Sequence, residues 1–403
     1  MNRKFYRITG VVLAVVALAA GGFYLARNPD AERFLRQRKA EQVLRDYADN
    51  MTLKTLSLLV DDLQRLDHEV TTLAAVSVKG DAKDQSYVAK DAAMETAAAA
   101  WDAAYRRYLQ TTAFWYGPAS YYDYDKRLGT WPVDRVLLEH AVNEMASGRL
   151  HLDARLLREE KPSSMRGFHA VQYLLFRNGR LRRAGELVPA ELVYLQAAAR
   201  ALLEEGVDFE ASWRGTENLS PSKVALLDAA GIPRRSPYAE EFRKPGTVGS
   251  RYTSLSIPLQ EIFQEISGTV EDLLPDIDAL RELPADGAPR YWESRDACGD
   301  LLDRLRSAEN AYLGGVEGFR GHSVSELAAG YSGVSDRRVK IAFAHAAHRI
   351  AAIRDFAGRD ADERDLAVRV AKAECDKLIA RLALVAQQVV MEPAFDPWRI
   401  YGK

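Results

Sequence analysis

Apolar residues recur along this chain at spacings of three and four. Leu56, Leu59, Leu63, Leu66, Val70 and Leu73 fall on one side of a helix. Leu255, Leu259, Ile262, Ile266, Val270 and Leu273 repeat the pattern, and Ala371, Cys375, Leu378, Leu382, Val385 and Val389 repeat it again near the C-terminus. Alanine is dense at 92–104 and 341–352, which suits helix propensity and close helix packing. Period-two runs of β-branched residues are nearly absent, so the chain is predicted to be all-α. The periodicity fails between 214 and 250, where Pro221, Pro233, Pro237, Pro245 and Gly246 interrupt any long helix. That stretch reads as the connection between two helical bundles, 30–235 and 236–392, followed by a C-terminal tail, 393–403. The tail carries Phe395, Trp398 and Tyr401 and is expected to strap across the second bundle. Arg234 and Arg235, inside the connection, read as a solvated loop.

One segment departs from this periodicity. Arg3, Lys4 and Arg7 precede an unbroken apolar and small-residue run from Ile8 to Ala26, and a membrane span needs about 20 such residues. The same pattern describes a secretory signal peptide, with Ala17-Leu18-Ala19 as a small-x-small cleavage pattern. The apolar character continues through Phe23, Tyr24 and Leu25, which favours a retained inner-membrane anchor over residues 8–26. The positive-inside bias then places the remainder of the chain in the periplasm. Residues 1–29 are therefore signal peptide or membrane anchor, and the protein is expected in the cell envelope.

The rest of the composition narrows the partners. The chain has 403 residues, 47% hydrophobic and 28% charged, with a net charge of -2, which is globular composition with no strong field to recruit nucleic acid. Cys298 and Cys375 are the two cysteines; in an oxidising compartment they could pair, but Cys375 lies on the third apolar stripe, where a buried free thiol is ordinary.

Candidate chemistry centres on Gly167-Phe168-His169-Ala170-Val171-Gln172-Tyr173-Leu174-Leu175-Phe176. On a helix His169 and Gln172 share a face, and Gly167 permits close approach of a neighbouring backbone. From these residues alone the stretch reads as a buried helix with a satisfied histidine, because a neutral amide is a poor partner for a metal. Elsewhere His345 and His348 are three apart and read as one core and one solvated histidine. Tyr121-Tyr122-Asp123-Tyr124-Asp125 offers oxygens to a hard cation but reads first as a structured loop. Gly314, Gly315, Gly318 and Gly321 lack the Lys-Ser/Thr order of a phosphate loop and read as close backbone packing after Asn310. No Ser-His-Asp order or HExxH pattern occurs.

The 167–176 stretch resembles the glycine-x-histidine-x-x-glutamate signature of imelysin-like proteins, including its trailing leucine and phenylalanine. Trp101, Phe114-Trp115-Tyr116-Gly117-Pro118 and Trp131-Pro132-Val133-Asp134 are similar to that family's upstream segments, in order. Tyr194-Leu195-Gln196 with Trp213 fits the following helix, and Asn310-Ala311-Tyr312-Leu313-Gly314-Gly315 resembles its second half. The resemblance implies two helical bundles with a site at their junction, in envelope proteins described as metallopeptidases or as iron-regulated and iron-uptake proteins. It assigns His169 and position 172 to the metal, a divalent ion or iron; Gly167, Trp131, Asn310 and Tyr312 are expected to line the site, and Glu293, beside Trp292, to approach it from the second bundle. The departure is Gln172, where the family has glutamate: an amide cannot act as a general base at neutral pH. The reading is therefore a non-catalytic envelope protein that binds a metal ion weakly and is tied to iron or other metal handling. The alternatives are a metallopeptidase with a substitute carboxylate such as Glu293, and an envelope interaction scaffold whose partner is another envelope protein.

Overall fold

The computed structural model describes residues 29–78, 85–282, 297–356 and 360–393. The N-terminal apolar segment, Glu293 and the tail aromatics Phe395, Trp398 and Tyr401 lie outside these residues. Among the described residues no helix is long and apolar enough to cross a membrane.

The fold is all-α. Helix α1 (Pro29–Asp46) runs through a π-helical turn, Tyr47–Leu53, into α2 (Lys54–Val78), and α3 is Gln85–Leu109. A 3-10 turn at Thr112–Phe114 leads to the short α4 (Pro118–Tyr121) and α5 (Tyr124–Gly129), then α6 (Arg135–Ala146), α7 (Ala154–Glu160) and α8 (Gly167–Leu175). A two-residue antiparallel hairpin pairs Phe176 with Leu181 and Arg177 with Arg180. Then come α9 (Pro189–Arg214), α10 (Pro221–Ala230) and α11 (Ala239–Arg243). The second half holds α12 (Ser256–Glu271), α13 (Leu273–Ala279), α14 (Ala297–Tyr312), α15 (Val324–Tyr331), α16 (Gly333–Ala352) and α17 (Ala361–Val390).

The periodic stripes are the core. All six residues of the first stripe and all six of the third are buried; the second is buried from Leu259 to Leu273, with Leu255 at its margin. Helix α2 lies between α3 and α9, while α12, α14, α16 and α17 pack together in the second half. One continuous apolar cluster runs through both halves, joined where α14 meets α3 and where α12 meets the 112–114 turn. The buried face of a single 16-residue helix such as α12, removed from water at ~25 cal/mol per Å2, supplies several kcal/mol toward holding that junction.

Three local expectations change. The prolines of 214–250 begin helices as well as end them: Pro221 stands in the first turn of α10, where its missing N–H costs nothing, and Gly231 closes that helix with φ +70°. Arg235 is not a solvated loop residue but reaches a buried carboxylate, described below. His345 and His348 are both exposed on α16, so neither is a core residue. The cysteines are both buried and free. The glycine pair after Asn310 does serve close packing: a Cβ on Gly315 (φ +139°) would stand 2.8 Å from Asn50 in the π turn, and Val316 N–H donates to Asn50 O at 3.1 Å.

Candidate functional site

Helix α8 is buried at every position from Gly167 to Leu175. Its start is fixed by backbone contact. Gly167 adopts φ +76°, and a Cβ there would meet the carbonyl oxygen of Leu128 at 2.3 Å, so only glycine lets α8 approach the end of α5. Trp101 Nε1–H donates to Phe168 O at 3.0 Å, and the Tyr194 hydroxyl donates to Met165 O at 2.8 Å.

The one-turn spacing places His169 Nδ1 3.0 Å from Gln172 Oε1. An amide oxygen only accepts, so Nδ1 carries the proton and Nε2 keeps its lone pair. Tyr105 and Trp131 meet the imidazole edge-on, with centroids 5.5 and 4.9 Å away. His169 is 9% exposed, and burial pushes its pKa down to about 4, partly opposed by the hydrogen bond to Gln172. It is a neutral imidazole in an aromatic nest, with the half-exposed Trp131 between it and solvent.

The structure gathers four of the anticipated site residues, His169, Gln172, Gly167 and Trp131. Tyr312 makes its side-chain contact elsewhere, while Asn310 uses only its main-chain carbonyl and its buried Oδ1 has no hydrogen-bond partner. Asn310 O accepts from Gly315 N–H at 2.9 Å, and the Tyr312 hydroxyl donates to Asp336 at 3.0 Å, a carboxylate also held by Ser325 and Lys340. The 121–125 oxygens diverge: Tyr124 is buried against Phe209, Tyr122 lies under Arg235, and Asp123 pairs with Lys126 at the surface.

The residue before Gly167 opens onto a feature that sequence reasoning missed. Arg127, Arg158, Arg166 and Arg235, with Glu205 and Asp208 of α9, line a cavity of about 210 Å3. Arg235 grips Asp208 with two hydrogen bonds of 2.7 and 2.9 Å. Arg127 reaches both Asp208, at 2.9 Å, and Glu205. Arg166 holds Glu205 at 2.8 Å, and Arg158 pairs with Glu204 and, at 3.2 Å, with Glu159. Burial raises the Glu205 pKa against the pull of Arg127 and Arg166, while burial lowers that of Arg166. The available signal was Glu204, Glu205 and Asp208, three and four apart among the alanines and leucines of a helix too apolar to be solvated on that face.

The donor set beside His169 does not fit a catalytic metal. It offers one imidazole nitrogen and an amide oxygen already engaged, and no group of three or more His, Cys, Asp or Glu able to hold a metal occurs among the described residues.

These features define a helical protein of two fused bundles whose histidine-bearing helix is sealed in the first. A family model described as Imelysin matches residues 59–391. The chain belongs to the imelysin family. It is 25% identical over 241 residues to "Iron-regulated protein A" of Synechococcus elongatus, a match covering 59% of this chain and 55% of that relative, so the chain spans about half the length of that protein. Its fold is similar to the crystal structure of an iron-regulated protein A precursor from Parabacteroides distasonis, with TM-score 0.67 and 20% identity, over 88% of this chain and 95% of that one. It is also similar to an imelysin-like protein from Psychrobacter arcticum 273-4, with TM-score 0.52 and 13% identity, over 87% and 93% of the two chains.

Proposed function

We propose that this is a non-catalytic imelysin-family protein of the cell envelope, tied to iron or other metal handling, whose His169 position binds a metal ion only weakly. The observation that carries the reading is the His169–Gln172 pair. The imidazole's partner is a neutral amide at 3.0 Å, so the helix lacks the carboxylate that would serve as ligand or general base. The link to iron rests on the names of the relatives, and the envelope assignment rests on the basic and apolar N-terminal segment. The metallopeptidase alternative needs a substitute carboxylate such as Glu293, which lies outside the described residues. The test is metal titration and a protein-cleavage assay of the full chain with His169→Ala and Gln172→Glu. Expected are no turnover, weak binding lost in His169→Ala, and tighter binding in Gln172→Glu. Tight stoichiometric binding indifferent to residue 172, or chelator-sensitive cleavage lost in His169→Ala, overturns the reading.

A further inference from the structure

The cavity beside Arg166 is walled by more positive than negative charge. Four guanidiniums reach it from four separate parts of the chain: Arg127 from α5, Arg158 from α7, Arg166 from the residue before α8 and Arg235 from the connection. Three carboxylates face the same space. Glu205 and Asp208 are sealed, at most 1% exposed, whereas Glu159 stands exposed at the rim with Gly231 and Pro233, so the cavity opens to solvent there. With Glu204 included the network balances, but Glu204, the buried partner of Arg158, does not line the cavity. Its interior therefore holds four cations against two anions.

The buried carboxylates are already paired. Asp208 accepts two bonds from Arg235 and one from Arg127. Glu205 accepts from Arg166 at 2.8 Å, and its second oxygen meets Arg127 as an ion pair without hydrogen-bond geometry. The guanidiniums keep donors to spare. Each carries five N–H groups in a planar fork, and the network uses only Nη2 of Arg127 and Nη1 of Arg166. Arg166 Nε–H is buried with no acceptor. Burial lowers the Arg166 pKa against the pull of Glu205, and Arg127 and Arg158 depress it further, as like charges do when counter-charge is short.

Size and shape narrow the ligand. A volume of about 210 Å3 is several times the ~30 Å3 share of one water and below the ~300–1,000 Å3 of pockets for drug-sized molecules. It admits a small ion and excludes a nucleotide. Arginine forks match phosphate and carboxylate oxygens, and forks arriving from four parts of the chain surround a ligand rather than meet it in one plane. We propose that this cavity binds a small tetrahedral oxyanion, for which inorganic phosphate is the probe. Arg127 and Arg166 donate to it, while Arg158 and Arg235 add charge as they hold the carboxylates. Glu205 and Asp208 keep the forks in place before the anion arrives, which cuts the ordering cost of binding. The site is separate from His169 and does not rest on the function proposed above.

The test is calorimetric titration of the full chain with sodium phosphate at low ionic strength, with sodium chloride at matched ionic strength as the blank. Expected is one saturable equivalent, competed by sulfate and not by acetate. Arg166→Gln combined with Glu205→Gln removes a cation and its partner together, and thermal melting checks its fold. Phosphate affinity should fall in it by roughly tenfold or more. Glu159→Gln, a change at the exposed rim, should tighten binding about threefold because a repelling charge is gone. A heat no larger than that of chloride, competition by acetate as strong as by sulfate, full affinity in the folded double variant, or weaker binding in Glu159→Gln would each overturn the proposal.

Discussion

The arginine–carboxylate cluster around α9 and the tyrosine–carboxylate cluster around Phe242 are both polar islands in one apolar core, and they differ in charge balance. In the first, Arg127, Arg158, Arg166 and Arg235 face Glu159, Glu204, Glu205 and Asp208, so every buried carboxylate meets a guanidinium. In the second, Tyr47, Tyr116, Tyr238 and Tyr252 ring Phe242 beside Glu261 and Glu265 of α12; Arg251 offsets Glu261, while burial, Glu261 and Asp272 all raise the Glu265 pKa with no cation opposing them. Charges removed from water are tolerated when paired. The first cluster is thus balanced in charge, although Arg166 Nε and Glu205 Oε2 lack hydrogen-bond partners, whereas the second leaves Glu265 favouring its protonated form.

The largest expected effect comes from opening the closed network. Asp208 is 0% exposed and holds Arg235 and Arg127 at once. Asp208→Asn leaves two guanidiniums facing an amide and should cost about 3–5 kcal/mol in urea unfolding. Glu261→Gln in the metal-free protein should cost little or nothing. Equal losses at the two positions would erase the contrast between the clusters.

Next comes pH. His169 has a folded pKa of about 4 against 6.5, so the unfolded chain takes the proton first. The stability this contributes is fully present above pH 6.5 and is lost as pH falls toward 4, ~3 kcal/mol in all. Glu265 acts with the opposite sign. Burial and the neighbouring carboxylates raise it to about 7 from 4.5, so the folded state keeps a proton the unfolded chain releases. Stability then falls as pH rises from 4.5 to 7, by ~2 kcal/mol after discounting for partial exposure. Over the shared window the two offset, and the metal-free wild type should show a shallow profile between pH 4.5 and 6.5. Glu265→Gln should steepen it and raise stability at pH 8; an unchanged profile would mean that Glu265 is solvated and the second cluster is not strained.

What was legible in the chain follows the range of the interactions. The stripes beginning at Leu56 and Ala371 could be found because a helix repeats every 3.6 residues, and His169 with Gln172 could be paired because one turn separates them. Arg235 was misread because its partner Asp208 lies 27 residues away on a buried helix, while its neighbours Pro233 and Pro237 carry a loop signature. Tyr312 was grouped with His169 by family order alone, and its hydroxyl turns instead to Asp336. The Phe242 cluster draws its members from the π turn, the loop before α4, the connection and α12, and no local pattern links them.

The smallest expected effect is also the most direct probe of the open cluster. Removing a hydroxyl that makes a hydrogen bond leaves its partner unsatisfied and destabilises, whereas removing one that makes none relieves a desolvation penalty. Tyr116 is 7% exposed and its buried oxygen meets only the Tyr47 hydroxyl, in a bond weaker than ordinary geometry gives, and its ring packs on Trp213 and Phe242 in a manner phenylalanine can reproduce. Tyr116→Phe should therefore be close to neutral in urea unfolding, within ~1 kcal/mol. A larger loss would mean that this hydroxyl is firmly bonded to Tyr47, and the second cluster would then be as tightly held as the first.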